Sequence, residues 1–518
     1  MPNESAIILE EPNEWRPAPW EPMHTPCRFK NPLSKYRVWR NESRCIQCGK
    51  CVEVCPYGVH TKVGKFVRRP KSYLCIGPSC EKNDFYCVAN CPTQALTVRL
   101  HPAYAALGDR RWPADLLLAT WWMAEFGTLP YSDLEYRTGA SGGGFDKLRF
   151  LFPPRGRDAK LSHEDISLEL ELNRRGDGRP SVTLSVPWYS AGMSFGSVSI
   201  NTILSRLRAA VRYNSLMSTG EGGYPEDLYP YDDFVVTQVA TGLFGVREDT
   251  IQRVRLVEFK YAQGAKPGLG GHLLGDKVTP AVARMRESLP GSALFSPFPF
   301  HSVDSVEDHK KHLDWIKEVN PKTLVSVKVS TPTDVDMVAV GSFYAGAHVV
   351  QLDGSYGGTG AAPDIAKKNI AMPIEFAIPK VHQFLQQEGI RDQITVIASG
   401  GIRTAYDVAK AIALGADGVQ IGTAEMVALE CLRCHQCESG RGCVRGIATT
   451  DPELMDMMSV DWGTKRIANM YHAWTWQLKE ILRRFGMRSI RELVGRTDTL
   501  VHLDYYNLPV DDDVRRGS

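Results

Sequence analysis

The sequence predicts an α/β protein, a (β/α)8 TIM barrel preceded by a small α+β module. Three observations predict it. Between residues 181 and 430, short apolar runs recur, each followed by a glycine-rich or polar loop and several also by a helical stretch. Eight cysteines crowd into residues 45–91. Four more fall within the thirteen residues 431–443, directly after the last apolar run.

The apolar runs are residues 182–186, 215–217, 234–239, 255–261, 324–329, 348–352, 394–398 and 418–421, with helical patterns at 305–319 and 404–414. A barrel of this kind carries its functional residues where strands end. Ser194, Glu221, Gln238, Lys266, Lys328, Asp353, Gly400-Gly401 and Gly422-Thr423 all follow strand candidates. Ser399-Gly400-Gly401-Ile402-Arg403-Thr404 and Gln420-Ile421-Gly422-Thr423-Ala424 each precede a helix. Unobstructed N–H groups at helix N-termini, in the last two βα loops, predict a bound phosphate. Lys328 is an inward cation on the fifth strand; it is either a salt-bridged barrel lysine or, beneath a flavin, a stabiliser of charge at the N1/C2 edge of the reduced ring. Upstream, Leu168–Leu172 alternates like a half-buried strand, and Ser141-Gly-Gly-Gly144 reads as a loop.

Cys45-Ile-Gln-Cys48-Gly-Lys-Cys51-Val-Glu-Val-Cys55-Pro56 is the spacing of a two-cluster ferredoxin, in which the fourth cysteine serves the other cluster. Cys75, Cys80, Cys87 and Cys91-Pro92 form the second half with wider spacing. The crossed assignment gives Cys45, Cys48, Cys51 and Cys91 to one 4Fe–4S cluster, and Cys55, Cys75, Cys80 and Cys87 to the other. The Cys-Pro endings and the tight triple argue against two zinc ribbons. Lys62, Lys65, Arg68, Arg69 and Lys71 form either a dock for an acidic electron donor or a solvated hairpin face. Cys431, Cys434, Cys437 and Cys443 have metal spacing and suit a further iron–sulfur cluster, while the isolated Cys27 reads as an ordinary thiol.

Charge is nearly balanced, 61 basic against 59 acidic residues, which excludes a bulk electrostatic case for nucleic acid or anionic membrane. The run at 115–125 is far shorter than the roughly 20 residues of a membrane span. The start shows no signal-peptide pattern, and clustered rather than dispersed cysteines suit a reducing, cytoplasmic setting. The expected divisions are an arm (1–40), a ferredoxin-like domain (41–100), a connection (101–180), the barrel (181–430), a cysteine loop (431–450) and a helical tail (451–518).

Several stretches carry a resemblance: Ser190-Ala-Gly-Met-Ser-Phe-Gly-Ser197, Ser218-Thr-Gly-Glu-Gly-Gly223, Gln238-Val-Ala-Thr-Gly-Leu-Phe-Gly-Val246, Tyr261-Ala-Gln-Gly-Ala-Lys-Pro-Gly268, Gly357-Gly-Thr-Gly-Ala361 and Cys443-Val-Arg-Gly-Ile-Ala-Thr449. In this order they resemble the FMN-binding synthase domain of glutamate synthases. With its N-terminal cluster module, the chain is similar to the compact archaeal-type large subunit, whose glutaminase and β-helix are separate polypeptides. The resemblance implies FMN, a 3Fe–4S or 4Fe–4S cluster near it, and reductive amination of 2-oxoglutarate through 2-iminoglutarate. Electrons would come from a ferredoxin or an NAD(P)H-linked flavoprotein, and the assembly would be oligomeric. Lys266 and Gln263 match the substrate and flavin face, and Glu221 matches the loop by which ammonia enters. Expected flavin contacts are Met193, Ser194, Gln238, Lys328, Gly354, Gly400, Gly401, Arg403, Gly422 and Thr423.

Three departures stand out. The family's Lys-Pro-Gly-Glu-Gly-Gly-Gln is here Lys266-Pro-Gly-Leu269-Gly-Gly-His272, and its Pro-Pro-Pro-His-His is Pro297-Phe-Pro-Phe300-His301. Cys434 adds a fourth thiol where the family holds a three-iron centre with three. No cysteine precedes Cys27, so the N-terminal nucleophile of a glutaminase is not expected and ammonia comes from a partner or solution. Two alternatives remain: methylamine as nitrogen donor, giving N-methylglutamate, or a flavin that only relays electrons within a larger complex. A 2-hydroxy-acid oxidase is disfavoured by Ser399-Gly-Gly-Ile-Arg403, which lacks a paired His/Arg motif.

Overall fold

The computed structural model describes residues 20–29, 34–130, 144–154, 161–267, 269, 271–297, 299–360, 362, 370–438 and 441–505. Most of the predicted arm, residues 141–143 of the glycine run, and the end of the tail lie outside them. The chain forms two compact units. One is Cys27–Asp109 with Pro113–Asp115; the other is Met1–Pro26, Arg110–Trp112 and Leu116–Ser518.

In the larger unit, eight parallel strands close a barrel in chain order. They are β1 (Trp188–Ser190), β2 (Met217–Ser218), β3 (Val235–Ala240), β4 (Leu256–Lys260), β5 (Leu324–Ser330), β6 (Val349–Asp353), β7 (Thr395–Ser399) and β8 (Gly418–Ile421), with β8 pairing back on β1. Almost every strand residue is buried, because helices outside and side chains inside leave no solvated face. The predicted helices begin one residue later than their patterns, since Ser305 and Thr404 are caps: their side chains accept the N–H groups of Asp308 and Asp407 ahead of Val306–Val319 and Ala405–Leu414.

One strand expectation fails. Residues 182–186 do not open the barrel; Thr183–Leu184 pairs antiparallel with Leu170–Glu171. The alternation at Leu168–Leu172 belongs to this hairpin. Leu170, Leu172, Val182 and Leu184 pack with Val236, Leu256, Leu324 and Val349 at the strand starts, so the run is apolar because it stoppers the barrel floor. Pro187 then leads into the true first strand.

The predicted tail contains a 26-residue helix, Val460–Phe485, ended by Gly486 at φ 72°. It packs along Ile200–Arg212 and presses Tyr471 and Trp474 edge-on to Trp188, at 5.4 and 5.8 Å. Arg206 and Glu425 form a fully buried pair at 2.7 Å, and Tyr471 and Ser190 donate their hydroxyls to the same carboxylate. A buried charge so saturated with donors fixes the relative seating of β1, two helices and the tail. Among the described residues, no helix is long and apolar enough to cross a membrane.

The smaller unit is built on an antiparallel pair, Tyr36–Arg40 with Leu96–Leu100. Its core is slight: Val38, Val59, Leu96 and Cys87, with Val54, Val88, Val98 and four further cysteines packed against them.

Candidate functional site

Two cavities at the C-terminal mouth of the barrel share a wall. The first is a narrow groove of about 100 Å³ at the ends of β5 to β8, lined among others by Met193, Lys328, Tyr356, Gly400, Gly401 and Gln420. Gly400 and Gly401 take φ 85° and 135°, a conformation that favours glycine, and a methyl at Gly400 would overlap the Gly354 carbonyl. Gly354 therefore sits behind the groove, as the stop against which Gly400 rests. Its amide donates to the Ser399 carbonyl at 2.9 Å.

Lys328 is salt-bridged, as one of its two readings expected. It lines the groove and lies 3.7 Å from Asp353. Asp353 is itself held by the Gly264 amide at 3.0 Å and the Ser399 hydroxyl at 2.6 Å. Glu258, buried on β4, accepts from the Gln238 amide; burial raises its carboxyl and the nearby Lys328 opposes that rise. Arg403 also lines the groove, but its guanidinium is committed: it donates to Asp146 at 2.6 Å and to Asp407 at 3.0 Å. Its role is to anchor the loop. Arg111, unremarked in the sequence, lies 3.1 Å above the Tyr356 ring and lines the same groove.

The second cavity is larger, about 680 Å³, and is lined by Ser194, Glu221, Gln238, Lys260, Lys266 and His272 together with all four cysteines of the 431–443 loop. Gly192, Met193, Gln263, Gly358 and Thr423 line both cavities, so the groove opens into the larger room. Lys266 is 4 % exposed; burial, reinforced by neighbouring Lys260, lowers its ammonium to about 8. Glu221 pairs with Lys260 at 3.4 Å, and Gly271 passes so close to its carboxylate that a methyl there would overlap it. His272 stacks on Phe295 at 4.5 Å and its Nε2 has no partner among the described residues.

Lys260 and Arg286 were not singled out by the sequence reading. Lys260 ends β4, where strand-end logic would have found it. Arg286 closes the helix Pro280–Arg286 and reaches the Ser194 hydroxyl at 2.8 Å and the Phe195 carbonyl at 3.0 Å, with burial lowering it to about 10. Its only sequence trace is Gly222, where any side chain would collide with the guanidinium.

Glu430, Arg433, His435 and Gly442 adopt positive φ, which winds the cysteine loop tightly. Lys277 pins it, donating to the Cys437 carbonyl at 2.8 Å and to Glu438 at 3.0 Å. Cys431, Cys437 and Cys443 are partly covered and Cys434 is exposed. Burial pushes the Cys431 thiol up to about 12, and the nearby Cys437 and Cys443 push the same way.

In the smaller unit the eight cysteines sort into two cavities. One is lined by Cys45, Cys48, Cys51 and Cys91, the other by Cys55, Cys75, Cys80 and Cys87. Gln47 and Gly49, at φ 58° and 84°, coil the backbone of the first triple tightly. Burial, then the charges of Cys75, Cys55 and Cys80, push Cys87 up to about 12. Among the described residues, no three His, Cys, Asp or Glu side chains are drawn together around a single ion.

Comparison with known proteins agrees with this geometry. A family described as a conserved region in glutamate synthase matches residues 157–488, and a 4Fe–4S binding domain matches residues 38–59. The archaeal-type glutamate synthase (NADPH) of Thermotoga maritima is 37% identical over 92% of this chain and 96% of its own. The archaeal glutamate synthase (NADPH) of Methanocaldococcus jannaschii is 37% identical over 90% of this chain and 94% of its own. The glutamate synthase (NADPH) large chain of Azospirillum brasilense is 35% identical over 60% of this chain but only 21% of its own length. On the barrel, the paired cavities and relatives that match end to end, the chain belongs to the glutamate synthase family.

Proposed function

We propose that this chain is an iron–sulfur flavoenzyme that reductively aminates 2-oxoglutarate to glutamate. The observation that carries the reading is the shared wall, which sets a glycine-looped groove against a cation-lined room closed by four thiols. The residues lining the groove suit FMN. Gly400 and Gly401 leave their amides unobstructed for a phosphate, and Gln420 offers a buried Nε2 that has no partner among the described residues. FMN bound there supplies a hydride from its reduced ring.

The protein's own groups do the rest. Lys266, aided by Lys260, neutralises a dicarboxylate that would otherwise enter the room at high electrostatic cost. Arg286 fixes the Ser194 hydroxyl at the room's edge. Glu221, held by Lys260, is placed to accept hydrogen bonds from incoming ammonium or to take its proton, making ammonia available to the keto carbon. Overall, 2-oxoglutarate, ammonium, two electrons and two protons give glutamate and water. Cys431, Cys437 and Cys443 would hold the cluster nearest the flavin as three ligands, with Cys434 completing a fourth corner in the 4Fe–4S form. The two cavities of the smaller unit would each hold a 4Fe–4S cluster, with the ligand sets crossed. Ammonia would come from a separate glutaminase or from solution.

The test is stopped-flow reoxidation of the chemically reduced protein under anaerobic conditions. Reoxidation that requires both 2-oxoglutarate and ammonium supports the reading. Faster reoxidation with methylamine would reassign the nitrogen donor, with Leu269 and His272 as the altered residues to examine. No reoxidation with either amine, at full flavin and iron content, refutes it.

A further inference from the structure

The smaller unit has a second face. Along its strand pair, Val38, Leu96 and Val98 point inward among the cysteines. On the outward face Arg37 stands directly opposite Arg99, and Trp39 opposite Thr97. Like charges directly opposed on a sheet are destabilising. Neither arginine has a hydrogen bond or ion pair among the described residues; Arg37 has only the Trp39 ring, 5.9 Å away. Trp39 is 61 % exposed. These residues border an open groove of about 990 Å³, where Arg37, Arg40, Arg69 and Arg99 meet a single acidic residue, Glu42.

The groove is also close to the sulfurs. Arg40 lines both the groove and the cavity of Cys45, Cys48, Cys51 and Cys91. Val98 lines the other sulfur cavity, while its strand neighbours Thr97 and Arg99 line the groove. A single sheet layer therefore separates the groove from both ligand sets.

We propose that this groove docks a small, acidic, one-electron carrier protein of the ferredoxin kind. The inference rests on the cluster reading above. A cluster accepts electrons singly, so a hydride donor cannot discharge into it directly; each encounter oxidises the carrier by one electron and reduces one cluster by one. Two encounters supply the pair consumed per glutamate. Guanidinium forks suit carboxylates in bidentate geometry, and an exposed tryptophan beside them is a suitable anchor. The repulsion between the opposed arginines on the free sheet is relieved when carboxylates of the partner bind between them.

The probe is a strongly acidic plant-type 2Fe–2S ferredoxin with the full-length, cluster-loaded chain. Binding is read by calorimetry and electron transfer by stopped flow. The expected result is affinity that falls at least tenfold between about 20 and 300 mM salt. Arg99→Glu and Arg69→Glu should each weaken low-salt binding about tenfold. Arg99→Glu should leave the thermal midpoint unchanged or higher, because Glu then faces Arg37; a weaker complex cannot then be blamed on misfolding. Dithionite should bleach the clusters equally in all variants. Ferredoxin binding that Arg99→Glu leaves unaltered, in protein whose clusters dithionite bleaches, overturns the docking site alone. Competition by heparin as strong as that by ferredoxin overturns it too, since the face would then be a general polyanion surface. Absorbance that dithionite does not bleach refutes the cluster reading and, with it, an electron carrier as the occupant.

Discussion

Lys266 offers the sharpest test of the substrate room. Its ammonium is lowered to about 8 by burial and then by Lys260, so it loses its proton within the working range of most enzymes. If it must be charged to hold a dicarboxylate, kcat/KM for 2-oxoglutarate is flat below pH 8 and falls about tenfold per unit above it. Lys266→Arg keeps the charge at every accessible pH and should remove that fall, at some cost in fit. Lys266→Met removes a charge-assisted hydrogen bond of about 1.5–3 kcal/mol, which is about a 10- to 150-fold loss in kcat/KM. The assay is initial-rate kinetics with a chemical reductant, so that no partner protein intervenes. A wild-type fall persisting in Lys266→Arg, or an unchanged kcat/KM in Lys266→Met, refutes the assignment. The same shift has a stability consequence. The unfolded lysine keeps its proton up to 10.5 and the folded one only to about 8, so the unfolded chain binds more protons in between. From this residue the ligand-free protein gains stability as pH rises through that window, by up to about 3 kcal/mol.

Other expectations concern the scaffold. Gly400→Ala would force a strained φ and a clash with the Gly354 carbonyl, so the purified protein should lose most of its flavin absorbance while its circular dichroism is unchanged. Arg403→Met would strand the buried carboxylates of Asp146 and Asp407, costing about 3–5 kcal/mol by urea unfolding. Removing iron should unfold the smaller unit, whose slight core includes five cysteines; hydrogen exchange should rise across residues 34–109 and remain slow in the barrel strands.

The barrel was legible because each strand is short, apolar and followed by polar or glycine-rich chain, a pattern that survives without knowledge of contacts. It misled at residues 182–186, since a stopper buried under the barrel and a strand within it are equally apolar. The cysteine cavities follow the crossed grouping written in the spacing. Arg286 was invisible because its position depends on how a helix end folds back over Gly222, a tertiary fact. Arg403 was read toward the phosphate because Gly400-Gly401 beside it has the pattern of a phosphate loop; nothing local announces Asp146, distant in sequence, as its partner.

On the proposed reading, the cysteine loop is at once a conductor and a wall. Because its four thiols border the same room as Lys266 and Glu221, the shape of that room depends on whether metal holds the loop in place. On that reading, a molecule without its cluster would lose both its current and its grip on substrate. Loss of that cluster would then leave an inert chain rather than one that sequesters keto acid and ammonia unproductively, and rebuilding it would restore supply and demand together.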